Sequence, residues 1–285
     1  MHEILTADNG FQTLEIRNDA ATAKIALQGA QLFEYARPGA PLLLWVSPTA
    51  RFENGKAIRG GIPVCWPWFG KSAEHPERPQ HGFVRTAPWT LEGVDESHAH
   101  LTVVTLTLDH TQVEQPWFPY RYRLTLRIAV GDSLAVSLTT ENRDSVAFEI
   151  TEALHTYFNV GDINAVRLHG LEDAVYADAT DGFALKVSPN PVTVTAETDR
   201  VYRDTEAAVA IRDERFGRSI IIGKEGSRST VVWNPWIAKA ARLEDFADDG
   251  YTTMVCIETA NALTDAVTVE PGESHTLTVS IVSNG

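Results

Sequence analysis

Apolar and polar residues alternate with a period of two along most of this chain, the pattern of half-buried strands. Tyr122, Leu124, Leu126, Ile128 and Val130 alternate with Arg123, Thr125 and Arg127, and Gly131-Asp132 turns into Leu134, Val136 and Leu138. The spacing predicts a hairpin. Further strands are predicted at Phe11–Arg17, Ala21–Leu27, Gln31–Tyr35 and Leu42–Val46, separated by Asn18-Asp19 and Pro38-Gly39. Leu101–Leu108 changes phase at Val103-Val104, which predicts a bulge. Short strands follow at Ala165–Leu168, Val192–Thr195, Ala207–Ile211, Ile220–Ile222 and Thr276–Val282. Helical periodicity is confined to Ile237–Phe246, where Ala238, Ala241, Leu243 and Phe246 can share a face. With no βα alternation, linker or repeat, these elements predict an all-β antiparallel sandwich, one domain over residues 1–285.

Two strands carry chemistry at their ends. Val146, Phe148, Ile150 and Leu154 fall on one face, and Ala147, Glu149, Thr151 and His155 on the other, so His155 leaves the core face just before a turn. Thr253–Asn261 alternates Val255, Ile257 and Thr259 with Met254, Cys256 and Glu258. A carboxyl continuing a Met/Cys row is partly desolvated, which raises its pKa. Between them in importance is an aromatic loop within residues 51–89. Arg59-Gly-Gly-Ile-Pro-Val-Cys-Trp-Pro-Trp-Phe-Gly70 combines glycines, prolines and large aromatics, and Pro79-Gln-His-Gly-Phe-Val-Arg85 follows. The loop offers Arg59, Gln80, His81 and Arg85 on a stiff frame. Each feature has a plain structural alternative: a satisfied histidine, an exposed strand-end glutamate, and aromatics that merely cover one end of a sandwich. Asp199 in Glu197-Thr-Asp-Arg-Val-Tyr202 reads by itself as a solvated turn residue.

Composition narrows the choices. The chain is 44% hydrophobic and 22% charged, ordinary for a globular protein. A formal charge of -14 disfavours nucleic acid and anionic membranes as partners, although a local basic cluster can still hold a small anion. The two cysteines, Cys65 and Cys256, lie in apolar surroundings and predict buried free thiols. The N-terminal residues lack a basic and then apolar leader pattern, and no apolar run is long enough to span a bilayer, so a cytoplasmic location is expected. Dinucleotide, P-loop and nucleophile-elbow motifs are missing, and His75 and His81 lack the companions of a metal site, so no cofactor and no metal are expected. What remains is a candidate acid/base pair, His155 and Glu258, beside aromatics that suit a sugar and arginines that suit a phosphate.

The segments Arg59–Gly70, Gln80-His-Gly-Phe-Val-Arg85, Leu154-His-Thr-Tyr-Phe158, Glu197–Tyr202, Val232-Trp-Asn-Pro-Trp236 and Val255-Cys-Ile-Glu-Thr-Ala-Asn261 resemble the aldose 1-epimerase superfamily. They resemble most closely its glucose-6-phosphate 1-epimerase branch, the hexose-6-phosphate mutarotases. The resemblance implies a β-supersandwich of the galactose-mutarotase type with one or two short helices, and a monomer is the default expectation. It implies an isomerase acting on a hexose 6-phosphate, with His155 as general acid and Glu258 as general base. It places Arg59, Gln80 and Arg85 on the phosphate, and His81 and Asp199 on the sugar hydroxyls or ring. The sequence leaves open whether Asp199 contacts the sugar or instead supports a protonated His155. Two other readings stay open at this level. One is a non-catalytic sugar-phosphate sensor of the same fold. The other is a glycosidase using Glu258 and Asp199 as paired carboxylates.

Overall fold

Two eight-stranded sheets face each other across a common apolar core. The computed structural model describes residues 1–71, 75–113 and 115–284; residues 72–74 of the aromatic loop lie outside this description. One sheet runs in the order 166–169, 209–213, 218–225, 274–284, 134–142, 122–130, 101–109 and 90–98. The other has the order 184–187, 175–178, 198–202, 229–234, 254–261, 152–154 and 64–65, with 157–159 also paired to 254–261. Neighbouring strands run antiparallel in both. A four-stranded sheet, 2–6, 12–17, 22–26 and 31–36, and a small pair, 148–150 with 267–269, complete the architecture. The predicted hairpin is present, paired from Tyr122↔Asn142 to Val130↔Leu134. Among the described residues no helix is long and apolar enough to cross a membrane.

Alternation decides which side chains meet in the core. Leu124, Leu126 and Ile128 from one sheet, with Leu277 and Val279 beside them, pack with Leu154, Val232, Val255 and Ile257 from the other. Every residue of the strand Met254–Asn261 is buried, as in its neighbour Ser229–Asn234. Val255 and Ile257 belong to the inter-sheet core, while Met254, Cys256 and Ala260 join a second apolar cluster on the far face with Trp45, Tyr157, Trp233 and Phe246. A strand covered on both sides is where a polar side chain is hardest to hydrate.

Several expectations need correction. Leu42–Val46 forms no strand; Leu43, Leu44 and Trp45 are all buried, and the segment makes only single bridges, Leu44↔Phe158 and Val46↔Gly60. Val192–Thr195 likewise contributes only the bridge Leu168↔Val192. No bulge interrupts Val103-Val104: Thr102, Val104, Leu106 and Leu108 are inward in unbroken register with 122–130. The irregularities lie on the facing strand, between Leu91 and Gly93 and between Asp95 and His98. The helix is only Trp236–Ala240. Beyond it the chain tightens into three-residue turns, Arg242 N–H to Lys239 O and Leu243 N–H to Ala240 O, which bring Phe246 against Trp45 at 4.9 Å. The strand predicted through residues 146–155 breaks at Thr151, whose N–H donates to Pro67 O, and its two halves join different sheets.

The aromatic loop is more regular than its composition suggests. Val64–Cys65 is a short strand antiparallel to Ala153–Leu154, so the loop extends the sheet that ends at His155. Trp66 drives into the core, fully buried, with its indole N–H donating to Thr140 Oγ1 at 3.0 Å and Phe83, Phe118 and Tyr122 around it. The second half of the loop crosses this anchor at Gly82, with φ +74°. A Cβ there would lie 1.7 Å from Trp66 O. Gly82→Ala is therefore expected to lower stability by about 2–4 kcal/mol, read by denaturant unfolding.

A second buried carboxyl lies away from the cavity described below. Glu152 is fully buried, with the Thr140 side chain beside it and His275 Nε2 3.4 Å from Oε1. Burial pushes Glu152 up to about 8 from its ordinary 4.5. The folded chain then keeps a proton that the unfolded chain loses, so stability falls as pH rises from 4.5 through about 8. Glu152→Gln removes that loss. The variant is expected to melt higher than the parent at pH 8, by on the order of 2–4 kcal/mol, with a flatter profile of melting temperature between pH 5 and 8.

Candidate active site

Register brings His155 and Glu258 together. Leu154 pairs with Thr259 and Tyr157 with Cys256, which sets His155 across from Glu258 on the adjoining strand and on the same face. The His155 N–H donates to Pro63 O at 3.0 Å, fixing the backbone where the ladder loosens. Its Nε2 lies 3.4 Å from Glu258 Oε1. Both are buried, at 8% and 1% exposure. The imidazole stacks on Tyr157, two residues on in the same row, with planes 8° apart and centroids at 4.8 Å. Trp233 and His81 meet it edge-on.

A cavity of about 680 Å³ opens over this pair. All seven residues singled out in the sequence line it: Arg59, Gln80, His81, Arg85, His155, Asp199 and Glu258. Arg59 is held by Asp245, whose Oδ1 accepts from Nε and Nη2 at 3.2 and 3.1 Å, and by the Tyr157 hydroxyl, which accepts from Nη1 at 3.2 Å. Arg85 donates from Nη2 to Gln80 O at 2.6 Å. His81 sits at φ +64°, a conformation that strains a residue bearing a side chain. Its Nδ1 accepts from the Gly70 N–H at 3.2 Å, and its Nε2 lies 2.9 Å from the Gln80 amide nitrogen. Burial, with His155, Arg85 and Arg59 nearby, keeps His81 neutral. A smaller cavity of about 270 Å³ shares Arg59, Arg85 and His155 and adds Arg51 and Lys56, so this side of the site is basic.

The electrostatics decide one open alternative. Asp199 does not support a charged His155; its carboxylate pairs with Lys239 at 3.6 Å, and Lys239 also meets Glu197 at 3.1 Å. Burial, then the charges of Arg59 and Arg85, push His155 down to about 3. Burial and the neighbouring Asp199 push Glu258 well above the usual carboxylate range. In the open cavity the pair therefore holds one proton, and it rests on Glu258. Other lining residues carried no separate signal. Tyr157 was readable as the next outward residue after His155, and Trp233 lay inside a quoted segment, but Lys239 and Asp245 sit in the turn-rich stretch with nothing in their spacing to mark them.

Comparison with known proteins fits this arrangement. The profile of the aldose 1-epimerase family matches residues 12–282. An Escherichia coli K12 protein named "Putative glucose-6-phosphate 1-epimerase" is 40% identical over 242 residues, 84% of this chain and 80% of its own length. A protein of the same name from Cenchrus ciliaris is 34% identical over 283 residues, 95% of this chain and 84% of its own. Among solved structures, one titled a "putative mutarotase" from Salmonella typhimurium superposes with a TM-score of 0.90 at 32% identity, covering 99% of this chain and 93% of that one. The β-supersandwich and the matched profile agree, and the chain belongs to the aldose 1-epimerase family of sugar mutarotases.

Proposed function

We propose that this mutarotase interconverts the α and β anomers of a hexose 6-phosphate, D-glucose 6-phosphate first among them, by opening and reclosing the ring. One observation carries the reading: His155 Nε2 and Glu258 Oε1 are 3.4 Å apart in a cavity that also holds Arg59 and Arg85. Anomer exchange moves protons at two oxygens bonded to one carbon, the C1 hydroxyl and the ring oxygen. Groups serving both must be neighbours, as these are. A glycosidase pair of Glu258 and Asp199 is less favoured, because Asp199 is engaged by Lys239. A sensor would have no use for a dry acid beside a base.

In this mechanism Glu258 takes the proton of the C1 hydroxyl and His155 delivers one to the ring oxygen. The C1–O5 bond breaks, the aldehyde rotates about C1–C2, and the same steps run backwards on its other face. Bound phosphate prepares the pair. Its negative charge offsets Arg59 and Arg85, which add to burial in disfavouring an imidazolium, and so shifts the shared proton toward His155. His81 and Asp199 address the sugar hydroxyls, while Gln80 joins the arginines. A phosphorylated sugar also suits the expected cytoplasmic setting, since such anions do not cross bilayers unaided.

Two tests follow. His155→Ala and Glu258→Gln are each expected to slow α/β exchange of glucose 6-phosphate by about 10²–10⁴-fold in exchange NMR; an unchanged rate removes that residue from the mechanism. Arg85→Ala, and Arg59→Ala with it, should cost about 1.5–3 kcal/mol in kcat/KM on the phosphorylated sugar and little on glucose. Equal wild-type rates on glucose and glucose 6-phosphate would contradict the phosphate assignment.

A further inference from the structure

One more side chain converges on the acid/base pair. Cys256 precedes Glu258 in the outward row of Met254–Asn261 and is fully buried beneath it. Its Sγ, a ring nitrogen of His155 and a carboxylate oxygen of Glu258 all lie within 4.8 Å of one another. Tetrahedral zinc, with bonds of about 2.0–2.3 Å, holds its ligands about 3.3–3.8 Å apart. The His155–Glu258 edge, at 3.4 Å, already has that separation, and the sulfur need approach by about 1 Å at most. The two polar side chains also have unused capacity. Glu258 Oε2 and His155 Nδ1 are buried without a hydrogen-bond partner among the described residues.

We propose that His155, Cys256 and Glu258 form an inhibitory site for a thiophilic divalent cation of the zinc class, which occupies the two residues the sugar mechanism needs and takes its fourth ligand, a water, from the cavity that His155 and Glu258 line. Imidazole, thiolate and carboxylate together select zinc or cadmium over magnesium and calcium, which prefer all-oxygen shells. The charge balance permits entry into this dry place. Binding expels the thiol proton and the single proton held by the pair, so a doubly charged ion enters as two protons leave to solvent. Arg59, the nearby cation in contact with Tyr157, is already matched by Asp245. The site shares residues with the sugar mechanism, yet it is tested by metal binding alone, whichever sugar the enzyme prefers.

The test loads the purified full-length chain with zinc or cadmium in chelator-free buffer. One ion per chain is expected. X-ray absorption at the zinc edge should show one sulfur at about 2.3 Å with nitrogen and oxygen at about 2.0–2.2 Å. Cadmium should raise a thiolate-to-metal charge-transfer band in the ultraviolet. Cys256→Ser should abolish that band and weaken binding by about tenfold or more, with anomer exchange retained and no longer inhibited by zinc. Cys65→Ser should leave the band unchanged, and magnesium should produce none. A zinc shell without sulfur, or a band that survives Cys256→Ser or follows Cys65, overturns the proposal. The absorption measurement on the parent protein decides it even if Cys256→Ser does not fold.

Discussion

The rest of this structure depends on keeping one imidazole and one carboxyl dry at the same spot. Glu258 belongs to a strand with no exposed residue, and His155 meets it from the adjoining strand at 3.4 Å. An isolated ion in such a place is penalised by several kcal/mol, so the pair settles on one proton and no net charge. That neutrality suits the proposed mechanism, in which a single proton passes between the partners as acid and base steps alternate. The surroundings maintain it. Trp233 and Tyr157 wall off water, and the ring of Tyr157 lies flat against that of His155.

The aromatic loop supplies what the sheet cannot. Trp66 anchors it in the inter-sheet core through four apolar and polar contacts, while Phe69, three residues on, faces the cavity and packs on His81 at 4.9 Å. The backbone at His81 and Gly82, both at positive φ, is bent sharply over that anchor. Strain of this kind persists only when the surroundings hold it, and here the Gly70 N–H grips the His81 ring from beneath. The result is a rigid rim that carries Gln80, His81 and Arg85 to one side of the pair, with Arg59 entering from the loop's other end. Charge is confined there. The chain as a whole carries -14, but around one small cavity Arg51, Lys56, Arg59 and Arg85 outnumber Glu244 and Asp245, and short distances there outweigh the distant average.

How much of this could be read from residues depends on whether the information is local. Alternation at Tyr122–Val130 and Thr276–Val282 exposes a strand directly, because each residue's face follows from its neighbour's. Leu42–Val46 misled because its buried run Leu43-Leu44-Trp45 carries no period, and Ile237–Phe246 misled because Leu243 and Phe246 reach the core through turns as well as through a helix. Thr90–His98 went unread because it lies at a sheet edge with hardly any buried face. The site was legible in its parts, as motifs resembling a family, and all seven named residues do line one cavity. Its electrostatics were not. That Asp199 answers Lys239 and not His155 depends on a lysine forty residues further along, and no spacing announces that meeting.

The protein holds a useful internal comparison. His275 and Glu152 approach to 3.4 Å, the same separation as His155 and Glu258, and in both pairs the carboxyl is buried and pushed upward. The residue types, the distance and the desolvation agree, so none of these makes a pair catalytic. The difference is what lies over it. Glu152 points between the sheets and lines neither cavity that meets His155, whereas Glu258 and His155 form the floor of a cavity with cations at one side and aromatic walls. Three positions separate Glu152 from His155, yet they fall on opposite faces of the same sheet edge. Strand parity thus turns Glu152 away from the cavity, with His275 at a separate one, and places both His155 and Glu258 where the proposed chemistry would occur.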